Sequence, residues 1–185
     1  RSELSLEMLE NFNPCFVLDL TATPKKESNI ISYVDAVQLK NEHMVKLPVI
    51  VYNRDSQSEV LIDAIDLRNK LEEIASAEYA KTGKYIRPIA LFQAQPKGKE
   101  DATTFEKLRD KLVDAGIPAE QIAIRTADVN ELKNVELMSL SCPIRYIITV
   151  NALKEGWDCP FAYILASLAN KTSQVDVEQI LGRIL

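Results

Sequence analysis

The chain has 185 residues, 46% of them hydrophobic and 26% charged, and carries a formal net charge of −5. That length and balance fit one compact α/β domain with a short appendage, able to build a core without disulfides or a structural metal, and they argue against disorder. The acidic excess gives no global attraction to nucleic acid, so any such contact must come from a local patch or from parts outside this chain.

In chain order, Ser2 to Asn11 sets Leu4, Leu6, Met8 and Leu9 among acidic residues, which predicts a short amphipathic helix ending near Asn13-Pro14. Cys15 to Leu20 is a short, mostly apolar run that reads as a buried strand, broken by the polar, proline-bounded loop Thr21-Ala22-Thr23-Pro24. Ile30 to Leu39 and Leu47 to Tyr52 are two further strand candidates, separated by a charged turn around Lys40-Asn41-Glu42. From Ser56 to about Lys81 there is no Gly or Pro, and Leu61, Ile65, Leu67, Leu71, Ile74 and Ala75 recur at near-helical spacing. A long amphipathic helix is expected there, ended by Thr82-Gly83-Lys84.

A regular alternation follows: strand Pro88–Gln93, helix Thr103–Ala115 closed by Gly116, strand Gln121–Thr126, a helix near Val129–Leu137, strands Tyr146–Val150 and Ala162–Ala166, and helix Val175–Leu185. Strands alternating with helices at this spacing predict a parallel sheet covered on both faces. No internal repeat or low-complexity tract interrupts it.

Cys15, Cys142 and Cys159 are odd in number and far apart, so neither a disulfide framework nor a CxxC metal site is indicated, and a reducing cytoplasm fits best. The single histidine, His43, excludes a His-rich zinc site and would have to carry any Ser-His-Asp triad by itself. A lone histidine is more commonly a surface or satisfied core residue. No apolar run approaches the roughly 20 residues needed to cross a bilayer. The start at Arg1 has neither a signal-peptide core nor an initiator Met, so a piece of a longer protein is expected.

Two segments are rich enough in functional groups to hold chemistry. Thr149 to Pro160 joins a strand end to a polar loop containing Gly and Pro, and ligands of open parallel sheets bind outside the carboxyl ends of strands. There Gly156 permits close approach or positive φ, Asp158 can accept from a hydroxyl, and Glu155 can order the loop. The competing reading is a surface loop with a turn-forming glycine and a buried Trp157. In Gln174 to Leu185, Gln179 and Arg183 are four apart and share a helix face, while Gly182 either admits a close ligand or marks the helix end. Here the competing reading is a frayed terminal helix with one solvated arginine.

Taken together these segments resemble superfamily 2 helicases. Thr21-Ala22-Thr23-Pro24 after an apolar strand looks like motif III, Glu155-Gly156-Trp157-Asp158-Cys159-Pro160 like motif V, and Gln179-Ile180-Leu181-Gly182-Arg183 like motif VI, in the family's order and spacing. The Trp between Gly and Asp, with the Gln-Ile-Leu-Gly-Arg-Ile-Leu ending, is most similar to the Res subunit of type III restriction enzymes. Leu91-Phe92-Gln93-Ala94-Gln95 falls where motif IV would lie, and the likeness is weakest between Ser56 and Tyr85.

The resemblance implies a three-layer RecA-like fold, with residues 1–29 as the tail of a first motor domain and 30–185 as the second. It implies ATP and Mg²⁺ clamped between two such domains, with Arg183 as an arginine finger directed at the γ-phosphate and Gln179 positioning its helix. Asp158, with Glu155, Gly156 and Gly182, would border the nucleotide. Thr21 and Thr23 would couple the ATP state to DNA movement, and Thr149, Asn151 and Gln93 would serve DNA contact or coupling. The extra residue between Thr149 and Gly156, relative to many RNA helicases, leaves open which of Thr149 and Asn151 meets DNA. Implied partners are the first RecA-like domain, DNA and a modification methyltransferase subunit, with no membrane.

Departures from the family pattern set limits. The chain has no G-x-x-x-x-G-K-[ST] phosphate loop, no acidic D-E-x-H-type magnesium motif and no P-D-x-E-x-K-like nuclease motif, so it is not expected to hydrolyse ATP or cut DNA alone. Motif VI carries a second arginine three residues after the first, a position beyond Leu185. A Phe16–Leu20 strand without its own sheet is expected to pair elsewhere, a neighbouring chain being one source, and an interdomain face is expected to expose apolar surface and favour self-association. The alternatives are another superfamily 2 helicase, of DNA repair or RNA, and a non-catalytic RecA-like binding module.

Overall fold

A computed structural model describes residues 3–21, 29–42, 44–46, 48–96, 103–150 and 159–168. The chain divides into two compact units, residues 1–34 and 35–185. In the first, helix α1 (Glu3–Asn11) forms as expected. It closes through Asn13 N–H donating to the Glu10 carbonyl at 2.9 Å, with Asn13 at φ 44, a left-handed conformation that asparagine tolerates before Pro14. The buried strand expected at Cys15–Leu20 does not form. Those residues are irregular and outward, Phe16 being 72% and Leu20 91% exposed. A short apolar run becomes a strand only where another strand meets its backbone groups, and every strand of the sheet comes from residues beyond 88.

Two more strand expectations fail further along the chain. Within Ile30–Leu39 the chain instead enters helix α2 (Ala36–Asn41) through a capping box, in which Gln38 N–H donates to Asp35 Oδ1 at 2.7 Å and Asp35 N–H donates to Gln38 Oε1 at 2.9 Å. Reciprocal satisfaction of these orphan donors favours the helix over an unpaired strand. Pro48 to Tyr52 of the Leu47–Tyr52 candidate is irregular, with Ile50 68% and Val51 77% exposed.

Helix α3 (Gln57–Thr82) matches its expectation. Ser56 Oγ accepts from Glu59 N–H at 3.1 Å at its start, and Gly83 ends it at φ 71, donating to the Tyr79 carbonyl. Glycine carries that left-handed cap without the steric cost of a Cβ. The chain then builds strands β1 (Ile89–Gln93), β2 (Ile122–Arg125), β3 (Tyr146–Thr149) and β4 (Ala162–Ser167), with helix α4 (Phe105–Asp114) between the first two. The sheet runs β2-β3-β1-β4 and every pairing is parallel, so the chain is an α/β protein as expected.

Alternation along the strands feeds two cores. Ala90, Phe92, Ile124, Tyr146, Ile148 and Ala166 meet Leu61 and Ala64 of α3 and Leu108 and Leu112 of α4 on one face. Ile89, Leu91, Ala123 and Ile147 meet Cys142, Ile144 and Phe161 on the other. Both faces are therefore covered, but the second is covered by irregular chain, because the helix expected near Val129–Leu137 does not form. The hydrogen bonds of that stretch turn back to β2: Thr126 N–H donates to the Val129 carbonyl at 2.8 Å, Glu131 N–H to the Ile124 carbonyl at 3.0 Å, and Asn130 bridges Arg125. Asn134 at φ 67 then breaks any helical path. The helix expected at Val175–Leu185 lies outside the described residues, among which no helix is long and apolar enough to cross a membrane.

Candidate functional site

Because all four strands are parallel, they end at one edge, the position where open α/β sheets hold ligands. Register aligns their last residues in a row: Arg125 beside Thr149, Thr149 beside Gln93, and Gln93 beside Ser167. Each stands two residues after Ala123, Ile147, Leu91 and Leu165, so the row belongs to the face opposite α3 and α4. A polar row thus closes the carboxyl end of otherwise apolar strands.

Gln93 is the centre of this row. It is 4% exposed, its Oε1 accepts from Ser167 Oγ at 3.0 Å, and its Nε2 donates to the Val150 carbonyl at 3.3 Å. Its backbone joins the same neighbours: Leu168 N–H donates to the Gln93 carbonyl at 2.9 Å, and Ala94 N–H to the Thr149 carbonyl at 2.7 Å. One buried amide thus ties the chain leaving β3 to the chain leaving β4. A second network lies alongside. Thr103 Oγ1 donates to Gln57 Oε1 at 2.7 Å, Gln57 Nε2 donates to the Leu168 carbonyl at 3.4 Å, and Thr103 N–H donates to Gln95 Oε1 at 2.8 Å. These contacts link the start of α3 to the chain after β1 and after β4 without any titrating group, so their geometry is insensitive to pH.

Arg125 is the charged member of the row. It is half-buried, and Nη1 donates to the Thr126 carbonyl at 3.3 Å. Among the described residues, no carboxylate lies within ion-pair distance of it. At the opposite edge the chemistry differs. Burial pushes the Tyr146 phenol above its ordinary range against the lowering effect of Arg68 and Arg145. An open cleft of about 620 Å³ there is lined by Arg68, Asn69, Glu72, Glu73 and Ser76, with Glu72 already bonded to both Arg68 and Arg145. Among the described residues no group of three His, Cys, Asp or Glu is placed to hold a metal ion.

Of the residues singled out from sequence, Gln93 and Thr149 are brought into adjacent register. Thr149 is 1% exposed, so its side chain is enclosed. Thr21 ends the exposed irregular stretch of the first unit. Thr23, Asn151, Glu155, Gly156, Asp158, Gln179, Gly182 and Arg183 lie outside the described residues. Sequence reasoning missed Arg125, Gln57 and Thr103. A usable signal existed for Arg125, since Ile122-Ala123-Ile124-Arg125 is an apolar run whose last residue breaks pattern at the ligand-facing end of a parallel strand. Comparison with protein-family models, with curated proteins and with solved structures gives no match to this chain.

Proposed function

We propose that this chain is the second RecA-like motor domain of an ATP-dependent helicase or translocase acting on DNA, of the type found in the Res subunit of type III restriction enzymes, and that it works in the cytoplasm. The observation supporting this most directly is the coincidence of motif order with strand order. The motif IV-like segment overlaps the end of β1, Thr149 ends the neighbouring β3, and the motif V-like segment Glu155–Pro160 lies in the sequence between β3 and β4. On this reading ATP and Mg²⁺ are shared with a first RecA-like domain, and a modification subunit directs the assembly to DNA.

The described edge suits part of that task. It presents one guanidinium, Arg125, which matches phosphate oxygens, beside the enclosed Thr149 and Gln93. On this reading the partner domain holds the metal, and this chain contributes Arg183, with Gln179 and Asp158, to charge stabilisation and nucleotide contact. The test is DNA-stimulated ATP hydrolysis by the full-length protein. Arg183→Ala should lower kcat by about 10³ or more, as for other arginine fingers, and near wild-type turnover would remove the assignment. Stimulation by RNA and not by duplex DNA would favour a different superfamily 2 helicase, and absence of any hydrolysis would favour a binding module.

A further inference from the structure

We infer that Arg125 is a contact for the nucleic-acid backbone, its guanidinium taking a phosphodiester oxygen at the carboxyl edge of the sheet. This role rests on the reading of the chain as a nucleic-acid motor domain and adds a residue that none of the motif-like segments contains.

Placement comes first. Register puts Arg125 beside Thr149, and the pleat puts it on the face shared with Gln93 and Ser167. Accessibility then separates it from its neighbours: Thr149 is 1% and Gln93 4% exposed, whereas Arg125 is only partly buried at the end of β2, the outer strand of the described sheet. Two of the residues that look like nucleic-acid contacts in the sequence, Thr149 and Gln93, are enclosed, and a more accessible charge stands next to them.

The commitments of the other described arginines sharpen the point. Arg54 pairs with Asp63, Arg68 and Arg145 with Glu72, and Arg109 with Glu131, while Arg87 holds the carbonyls of Leu137 and Ser139. Arg125 makes a single 3.3 Å bond to the carbonyl of the next residue, at the long end of the hydrogen-bond range. Most of its five donors therefore remain to be used, and a planar guanidinium presents them in a fork that fits phosphate. A net charge of −5 makes such a local cation more consequential, because the chain's overall charge does not attract a polyanion. Contact through phosphate positions the strand without reading its sequence, which suits a motor that must move along it.

The experiment measures the affinity of the full-length protein for a single-stranded oligonucleotide and for duplex DNA between about 50 and 200 mM salt. Losing one phosphate contact should reduce the slope of log affinity against log salt by about 0.7 for the single strand or about 0.9 for the duplex. Arg125→Ala and Arg125→Gln should both show that reduction, and Arg125→Lys, which keeps the charge, should retain the slope. Affinity for ATP, measured in parallel, should stay within about twofold, since a lost contact of this kind belongs to the polyanion alone. Unchanged slopes in both neutral variants would overturn the inference, as would a loss confined to ATP affinity, which would assign the guanidinium to the nucleotide. A wild-type protein that binds neither DNA would overturn the motor reading itself, whatever the variants do.

Discussion

The two ends of the sheet use arginine in opposite ways. At the amino end, Arg87 is 1% exposed and donates to the carbonyls of Leu137 and Ser139, with its guanidinium 5.7 Å from the Phe161 ring centroid, and Arg68 sits 5.3 Å from the Tyr146 ring centroid while bonded to Glu72. These cations are enclosed by the fold and held by the partners just named, although Arg68 Nε and Nη1 and Arg87 Nε are buried without a hydrogen-bond partner. At the carboxyl end Arg125 is partly buried with one long bond, and its neighbours in the row are neutral amides and hydroxyls. The difference teaches that charge alone does not locate a site; what matters is whether the surrounding fold encloses the cation or leaves it within reach of a ligand.

Removing Arg87 should have the largest effect. Arg87→Met removes a buried guanidinium that holds the Leu137 and Ser139 carbonyls of the segment covering the second face, and a loss of about 3 kcal/mol is expected in urea unfolding. A shift below about 0.5 kcal/mol would mean that those carbonyls find other partners, and would dissolve the contrast between the two ends. Gln93→Leu comes next, at about 1 kcal/mol, because the Val150 carbonyl and Ser167 hydroxyl lose a partner at a partly solvated edge. Amide exchange near residues 150 and 168 should accelerate in that variant while β2 stays protected, and uniform acceleration would show that the amide supports the whole sheet.

The amino end also has a pH signature. Burial raises the Tyr146 pKa in the folded chain, so the unfolded chain releases that proton first, near pH 10. Its contribution is fully present below about pH 10 and is lost as pH climbs through the raised folded value. Thermal unfolding between pH 8 and 11 should therefore decline less steeply in Tyr146→Phe than in the wild type, and parallel curves would remove the phenol from the account. The smallest effect on stability is expected at the carboxyl end. Arg125→Ala should change unfolding free energy by no more than about 0.5 kcal/mol, since it breaks one weak bond at an exposed strand end. A loss of 2 kcal/mol or more would make Arg125 as structural as Arg87.

Much of the second unit was legible before any coordinates. Helix α3 follows from 26 residues without Gly or Pro, begun by Ser56 and ended by Gly83, and the four strands follow from short apolar runs placed between turn signals. The same criterion failed at Cys15–Leu20 and at Pro48–Tyr52, which are as apolar as Ile89–Gln93 yet form no strand. Ile89–Gln93 lies between two partners, β3 and β4, that satisfy its backbone and bury its side chains, and partnership of that kind depends on residues more than 50 positions away. At Val129–Leu137 the misreading had a local cause, the Thr126–Val129 turn, whose hydrogen bonds compete with the first helical turn.

The sequence by itself determined the α/β class, the bounds of the long helix and the chemistry available in its motif-like segments, because helix caps, breakers and residue types act over a few positions. Only the tertiary structure decided that Arg125, Thr149, Gln93 and Ser167 form one row, that Thr149 is enclosed, and that Arg125 is left with a single weak bond. Strand order and register set those relations, and both arise from long-range pairing, which no local pattern along the chain encodes.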